Sequence, residues 1–154
     1  MRIAVLADTH VDRLEHLPKK ILDALPTADL IIHAGDFIDV QLLHELRRLH
    51  EVRAVHGNMD SSELKAMLPV KEIIEIEDKQ LGITHGSGAP WGIEARTRRM
   101  FESERIDIIV YGHSHRSQNK VINDILFFNP GKAADSFGIL TIAGGVTGEI
   151  VSSR

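Results

Sequence analysis

The chain carries seven side chains of types that bind divalent metals, and each follows a short apolar segment. They are two carboxylates, one amide and four imidazoles: Asp8, Asp36, Asn58, His10, His85, His113 and His115. Oxygen and nitrogen ligands in this mixture suit Mn²⁺, Fe, Zn²⁺, Co²⁺ or Ni²⁺ better than an all-oxygen Ca²⁺ cage. One ion does not need seven ligands. Two ions sharing a bridging carboxylate would use them all, so the set predicts a dinuclear metal site.

The spacing of these residues suggests how they converge. Residues two positions apart in an extended segment project to the same side. The pairs Asp8/His10 and His113/His115 have this spacing, so each pair is expected to reach one point. Neighbouring glycines are expected to allow sharp turns and close approach of the backbone. These glycines are Gly35, Gly57, Gly86 and Gly112. Taken singly, an aspartate here also fits a loop start or a helix cap, and only the ordered set favours a metal.

Two divalent cations at one site point to phosphoryl chemistry. A pair about 3.5–4 Å apart can bind both the attacking and the leaving oxygen of an in-line displacement, and it lowers the pKa of bound water. The chain has a formal net charge of −4. Such a protein can still bind a phosphate ester where metal ions make the local charge positive.

The elements that must position these residues alternate through the first part of the chain. Buried strands are predicted over residues 2–7, 28–34 and 52–56. Helices are predicted over 17–25, with Pro18 at the first helical position, and over 40–50. This alternation predicts parallel strands joined by crossovers. The candidate ligands then lie beyond the carboxyl ends of strands, where sites form in α/β sheets.

The later part of the chain is predicted to be richer in strands. Three pairs of strands are expected, each joined by a turn: 70–76 and 80–85 around 77–79, 120–122 and 125–129 around Asn123-Asp124, and 137–143 and 149–153 around a glycine-rich turn at 144–148. A further buried strand is expected over 106–111. A charged surface helix is expected over 94–104. The whole pattern predicts one mixed α/β domain over residues 1–154, with two packed sheets flanked by helices.

Composition narrows the classes of function. The chain has no cysteine, which excludes disulfides, thiolate metal sites and a thiol nucleophile. No apolar segment approaches the roughly 18 residues of a membrane span, and the N-terminal apolar run is too short for a signal peptide. With the acidic balance, these features favour a cytoplasmic protein acting on a small-molecule phosphate ester rather than on nucleic acid or a membrane. The oligomeric state is left open, with a homo-oligomer as one alternative.

Five short motifs occur in an order that resembles a known family. They are Asp8-x-His10, Gly35-Asp36, Gly57-Asn58-x-Asp60, His85-Gly86 and Gly112-His113-x-His115. In this order they resemble the motifs of calcineurin-like metallophosphoesterases, and most of all the small YfcE-like phosphodiesterase branch. The resemblance extends to Asn129-Pro130-Gly131 and spans nearly the whole chain. It implies a four-layer αββα sandwich and a metal-dependent phosphoesterase, most readily a phosphodiesterase.

The resemblance also implies roles for the residues. One metal ligand set would be Asp8, His10, Asp36 and His115, and the other would be Asp36, Asn58, His85 and His113. Asp36 would bridge two divalent ions, with Mn²⁺ expected first and Ni²⁺, Co²⁺, Fe, Zn²⁺ or Mg²⁺ as alternatives. A bridging hydroxide would attack phosphorus in line. The catalytic set would be Asn58, Asp60 and His85, with Asp60 orienting a ligand or its loop.

Three positions depart from the family pattern. Met59 stands where many relatives have a histidine thought to protonate the leaving group, and methionine cannot donate a proton. Ser87 stands where small relatives often have a histidine, and Lys132 follows Asn-Pro-Gly where serine is usual. Lys132 fits either the site or the surface, and Trp91 fits either a substrate pocket or a cover over an apolar patch.

Two other classes of function compete with the enzyme. A non-catalytic protein-binding scaffold of the same fold would not need all seven ligands. A nuclease would call for a basic stripe that the sequence lacks. Of the remaining histidines, His33 and His56 lie near strand ends and fit a supporting role behind the ligands or a purely structural one.

Overall fold

The computed structural model describes all 154 residues of the chain. The helices are α1 (Lys19–Ala24), α2 (Val40–Leu49), α3 (Ser62–Met67) and α4 (Ile93–Met100), with short 3-10 turns at Leu14–His16 and Leu25–Thr27. The strands are β1 (Arg2–Leu6), β2 (Leu30–His33), β3 (Val52–Ala54), β4 (Lys71–Ile76), β5 (Lys79–Thr84), β6 (Ile108–Val110), β7 (Gln118–Ile122), β8 (Ile125–Asn129), β9 (Ser136–Ile142) and β10 (Val146–Ser152).

The strands form two mixed five-stranded sheets. The first has the order β10-β9-β1-β2-β3, and the second has the order β4-β5-β6-β8-β7. The predicted parallel pairing of β1, β2 and β3 is confirmed. In the second sheet β5, β6 and β8 are parallel. Antiparallel pairs complete one edge of the first sheet, at β9 and β10, and both edges of the second.

Alternating side chains of the strands separate two hydrophobic layers. Ile3 and Val5 of β1 face a core shared with Ile83 of β5 and Val110 of β6, so this core joins the two sheets. The intervening residues of β1 face a second core with α1, α2 and α3. On the outer face of the second sheet, Ile93 of α4 packs in a third cluster. The predicted αββα sandwich and single domain are confirmed.

Local sequence signals explain where the helices begin. Asp39 caps α2 by accepting a hydrogen bond from the Gln41 N–H, and the buried face of α2 has helical spacing, as predicted. Pro18 precedes α1 as its cap residue and has an extended ψ of 141°, so its predicted place as the first helical residue is wrong. Helix α3 was not predicted, although Ser61 caps it by accepting from the Leu64 N–H.

Several predicted boundaries also change. Helix α4 ends at Met100, and one face of it is buried at Ile93 and Thr97, so it is shorter and less exposed than the surface helix predicted over 94–104. The turn between β4 and β5 is two residues long, since Ile76 pairs with Lys79. Strand β10 begins three residues earlier than predicted, which shortens the glycine-rich turn. None of the helices has both the length and the hydropathy needed to cross a bilayer.

Candidate metal centre

Five of the candidate ligands converge where the carboxyl ends of strands from both sheets meet. Asp8 Oδ1 lies 3.9 Å from His10 Nε2, 3.8 Å from His85 Nε2 and 3.5 Å from His115 Nε2. Asp36 Oδ2 lies 3.5 Å from His10 Nε2 and 3.4 Å from His85 Nε2. The atoms form two groups with mutual distances within 4.8 Å, and both groups contain Asp8. The tertiary structure therefore surrounds one small space with carboxylate oxygens and imidazole nitrogens.

Buried atoms at this point lack partners within the protein. Asp8 Oδ1, His10 Nε2 and His85 Nε2 are buried and make no hydrogen bond. A buried polar atom without a partner lowers the stability of the fold by about 1–3 kcal/mol. Three such atoms facing one space therefore indicate that an ion binds there. Ligands about 2.1 Å from one ion lie about 3–3.5 Å apart, close to the separations seen. Both the geometry and the donor types fit divalent transition metals.

Hydrogen bonds set the tautomers of two histidines. His85 Nδ1 lies 2.7 Å from the Ala34 carbonyl oxygen, which can only accept, so Nδ1 carries the proton and the Nε2 lone pair faces the site. His113 Nε2 lies 2.9 Å from the Gly88 carbonyl oxygen and carries its proton for the same reason. This leaves Nδ1 of His113 to act as a ligand. Such bonds to the outer nitrogen orient metal-binding imidazoles.

Two candidate ligands are not brought into these groups. His113 lies beside His85, with ring centroids 5.2 Å apart, but it belongs to neither set of close ligand atoms. Asn58 is exposed and lines a cavity that His85 also lines. Their assignment as ligands stays a prediction.

Asp60 organises the loops that carry the ligands. Its Oδ2 accepts from the N–H groups of Asp36 and Gly57, at 3.0 and 2.7 Å, and its Oδ1 accepts from the Ile38 N–H at 3.0 Å. Asp60 is buried, and both of its oxygens bond to the backbone. This gives Asp60 a positioning role for the loops after β2 and β3.

The backbone at the ligands is left-handed rather than extended. Asp8, His10, Asp36, His113 and His115 all have positive φ, between 49° and 66°. The expectation that extended i, i+2 spacing brings each pair to one point is therefore wrong. Asp8 and His10 do approach each other, but across a turn. His113 and His115 diverge, the first toward His85 and the second toward Asp8.

Glycine is required where the loops touch. A Cβ on Gly57 would overlap the Asp36 carboxylate. Gly35 has φ +96°, and a Cβ there would lie 2.8 Å from both the Gly57 nitrogen and His85 Nδ1. Larger residues at these positions would separate the loops, as the motif glycines predicted.

Burial and neighbouring charges shift the ionisation of the ligands. Burial raises the pKa of Asp8 to about 7, an effect that the nearby His85 only partly offsets. Burial also raises the pKa of Asp36, but the hydrogen bonds from His85 and from the Met59 N–H, with the charge of His85, outweigh it. The pKa of Asp36 is therefore lowered. The pKa of His85 is raised, because the Asp36 and Asp8 carboxylates outweigh its burial. A cation between the carboxylates would favour their ionised forms.

Two supporting residues have clearer roles than the sequence indicated. His33 Nδ1 accepts from the Gly35 N–H at 3.1 Å, so Nε2 carries the proton toward Thr9 Oγ1, 3.1 Å away. His33 is fully buried and thus supports the Gly35-Asp36 loop. Asn129 is also fully buried. Its Nδ2 donates to the Gly112 carbonyl at 3.1 Å and holds the loop of His113 and His115.

Three further positions considered from the sequence can be placed. Trp91 is 79% exposed, so the idea that it covers an apolar patch is wrong. Lys132 is half-buried, and its charge contributes, after burial and the charge of His10, to a lowered pKa of His115. His56 is half-buried, and its Nδ1 makes only a long contact of 3.4 Å with the Gly57 carbonyl.

Sequence comparison identifies the family. The model of the calcineurin-like phosphoesterase superfamily domain matches residues 1–144. This chain belongs to the calcineurin-like phosphoesterase superfamily. A probable metallophosphoesterase of Methanocaldococcus jannaschii is 41% identical over 133 residues, which cover 85% of this chain and 67% of that protein. A phosphodiesterase of the same organism is 28% identical over 159 residues, covering 92% of this chain and 90% of the relative.

Solved structures share the fold along the full chain. A Thermotoga maritima protein is 33% identical with a TM-score of 0.79, and the match covers 98% of each chain. Vps29 of Entamoeba histolytica in complex with Zn²⁺ is 27% identical with a TM-score of 0.75, and the match covers 100% of each chain. The calcineurin-like phosphoesterase fold thus includes a zinc-bound structure similar to this one. Members of this superfamily bind divalent metals, and this chain has aspartate and histidine groups suited to hold one.

Proposed function

We propose that this calcineurin-like phosphoesterase is a metal-dependent phosphodiesterase with two divalent cations, in which an activated water attacks phosphorus in line. The observation that carries the proposal is the set of three buried, unpaired ligand atoms facing one space between two aspartates. A relative is named a phosphodiesterase, and this supports a diester as the substrate. When bound, the cations supply the Lewis acidity that activates water and offsets phosphoryl charge.

Each of the candidate ligands has a defined part in this proposal. The first cation would be held by Asp8, His10, Asp36 and His115, and the second by Asp36, Asn58, His85 and His113. Asp36 is proposed as the shared ligand because its Oδ2 lies 3.5 Å from His10 Nε2 and 3.4 Å from His85 Nε2, closer to each than Asp8 Oδ1 at 3.9 and 3.8 Å. We expect Mn²⁺ to serve, with Zn²⁺ and the other divalent metals as alternatives. Asn58 makes no side-chain hydrogen bond within the protein, so its amide is free to bind the metal or a phosphoryl oxygen.

At position 59, where many relatives have a histidine, this chain has no general acid to protonate the leaving group. Met59 is 56% exposed beside the site and has no proton to donate. Its backbone N–H instead donates to Asp36 Oδ1 at 2.9 Å, so Met59 helps to orient a ligand. We therefore expect the enzyme to favour diesters with good leaving groups, which need no protonation.

A protein-binding scaffold of the same fold is the alternative. A scaffold does not need an intact ligand set, yet all seven candidate ligands are present here. A scaffold also has no use for buried ligand atoms without partners, which lower the stability of the fold. These features favour the enzyme.

The test is hydrolysis of bis-p-nitrophenyl phosphate by chelator-stripped protein as Mn²⁺ is titrated back. We expect turnover to appear with the metal. Asp36→Asn should lower kcat/KM by about 100-fold or more, since even outer partners of metal ligands contribute about 10- to 100-fold. Asp23→Asn, at an exposed carboxylate on α1, is the matched control and should behave as wild type. Absence of turnover with Mn²⁺, Ni²⁺, Co²⁺ and Mg²⁺ in folded protein would overturn the proposal.

A further inference from the structure

A cavity of about 310 Å³ opens directly beside the candidate metal centre. Its walls come from the loop after β3, from α3, and from the ends of β5 and α4. We call it the side cavity and define it by six of its lining residues, His56, Asn58, Lys65, Val70, Ser87 and Met100. His85 lines this cavity and its Nε2 also faces the centre, so one arm of an ester whose phosphoryl group lies at the centre can reach the side cavity.

The side cavity is positively charged, although the protein as a whole is negative. Lys65 is the only lysine or arginine among its lining residues, and no aspartate or glutamate lines it. Lys65 Nζ donates to the Asn58 carbonyl at 3.2 Å, and it forms no ion pair with any carboxylate. An ammonium has three donors, so two are left for a ligand. In a chain of net charge −4, this local charge favours an anion.

The other walls define the kind of group that fits. Val70 and Met100 supply apolar surface, while Ser87 and His56 supply polar atoms. The volume corresponds to about ten water molecules and lies at the small end of the roughly 300–1,000 Å³ range of small-molecule sites. The side cavity therefore fits a short, partly apolar group rather than a polymer.

We propose that the side cavity binds one arm of the phosphodiester substrate, and that Lys65 selects an arm bearing a second anionic group of the carboxylate or phosphate class. This inference rests on the proposed phosphodiesterase function and extends it to the substrate class. In this proposal Asn58 links the two sites, since its side chain is a proposed metal ligand and its backbone carbonyl accepts from the Lys65 ammonium.

The test compares two diesters that share a chromogenic leaving group. They are p-nitrophenyl 2-carboxyethyl phosphate, with an anionic arm, and p-nitrophenyl ethyl phosphate, with a neutral arm. We expect Lys65→Met to lower the ratio of kcat/KM for the anionic over the neutral diester by about 3- to 10-fold, the size expected for a partly exposed charged hydrogen bond. Lys65→Arg should preserve the ratio. Lys120→Met removes the same charge at an exposed position on β7 and should preserve it too.

A binding measurement separates this inference from the proposed catalysis. In Mg²⁺-loaded protein, 3-phosphonopropanoate should shift the backbone amide resonances of Lys65 and Ser87, and Lys65→Met should abolish these shifts. If neither diester is hydrolysed but the Lys65-dependent shifts appear, the catalytic proposal fails and the anion subsite stands. If hydrolysis proceeds with the same ratio in wild type and Lys65→Met, and the shifts are unchanged, the subsite is wrong.

Discussion

Backbone strain at single residues accompanies the candidate centre. Five candidate ligands have positive φ, a conformation that costs a non-glycine residue about 1–2 kcal/mol. Such residues concentrate at functional sites, where the surrounding structure holds them. Here the support is identifiable, because Asp60 binds the N–H of Asp36, and Asp8 Oδ2 accepts from the His113 N–H at 3.0 Å. The ligands are thus oriented before any ion binds.

Met59 is the residue at which a single change should extend the range of substrates. We expect Met59→His to raise kcat for diesters with alkyl leaving groups by about 10²-fold or more, because a general acid contributes roughly 10²–10⁴-fold where the leaving group needs a proton. Hydrolysis of bis-p-nitrophenyl phosphate should change little. The substitution keeps the backbone N–H that donates to Asp36.

Met59→Gln is the matched control, since glutamine has a similar length but is not an acid. It should leave turnover of the alkyl diesters low. Equal rates for the histidine and glutamine variants on alkyl diesters, measured across pH 5–8, would contradict the general-acid explanation.

At the scale of elements, one arginine shapes the loop between β5 and α4. The Arg96 guanidinium donates to the carbonyls of Ser87 at 2.9 Å, Trp91 at 3.1 Å and Ala89. It binds these backbone oxygens instead of a carboxylate. The same loop contains Gly88, whose carbonyl accepts a hydrogen bond from His113 Nε2. Arg96 therefore acts on His113 through the loop.

We expect Arg96→Met to weaken Mn²⁺ binding by about 10-fold, the lower end of the effect of outer partners of metal ligands. The loop would lose three hydrogen bonds, and the Gly88 carbonyl would no longer fix the His113 ring. Isothermal titration calorimetry on chelator-stripped protein measures the affinity directly, without reference to activity.

Arg99→Met is the control on the same helix, at an exposed side chain that makes no hydrogen bond. It should bind Mn²⁺ as wild type does. If both variants bind Mn²⁺ equally well, Arg96 stabilises the loop without affecting the metal site. An Arg96→Met variant that loses thermal stability but keeps its Mn²⁺ affinity would lead to the same conclusion.

For the whole molecule, the packing of two sheets creates the centre. Asp8, Asp36 and Asn58 follow strands of the first sheet, whereas His85 and His113 follow strands of the second. The shared core of large aliphatic residues fixes the distance between the sheets. Bonds across the junction, such as His85 Nδ1–H to the Ala34 carbonyl, then set the register of the loops.

Buried His33 makes the stability of the whole fold depend on pH. Burial lowers its pKa from 6.5 to about 3, and its Nδ1 cannot take a proton while it accepts the Gly35 N–H. Between these values the unfolded chain binds a proton that the folded chain does not, so stability falls as pH falls below 6.5. We expect His33 to account for a loss of about 1.4 kcal/mol per pH unit in this window, and for none above it.

Denaturant unfolding of wild type and variants between about pH 7.5 and 4.5 measures this dependence. His33→Gln should be less stable at neutral pH but should lose less stability as the pH falls. His44→Gln, at an exposed position on α2, should keep the wild-type slope. Parallel slopes for wild type and His33→Gln would show that other groups govern the acid response.

Much of the site was predictable from residue types and order. Strands ending before Asp8, Asp36 and His85 follow from short apolar runs, because such runs need burial on both faces. The glycines beside the ligands predicted close backbone approach, which the Gly57 position confirms. Helix α3 escaped prediction because it is six residues long with one buried residue, Leu64, so its periodicity is too brief to detect.

From residue types and local hydrophobic patterns the sequence by itself predicted the types of the candidate ligands and two packed sheets flanked by helices, and the order of its motifs indicated the family and the αββα arrangement. Only the tertiary structure decided which atoms meet. The hydrogen bonds of Asp60 with Asp36 and Ile38, and the side cavity that Lys65 lines, bring together residues distant along the chain. Such contacts follow from how the two sheets pack, and no local pattern in the sequence encodes that packing geometry.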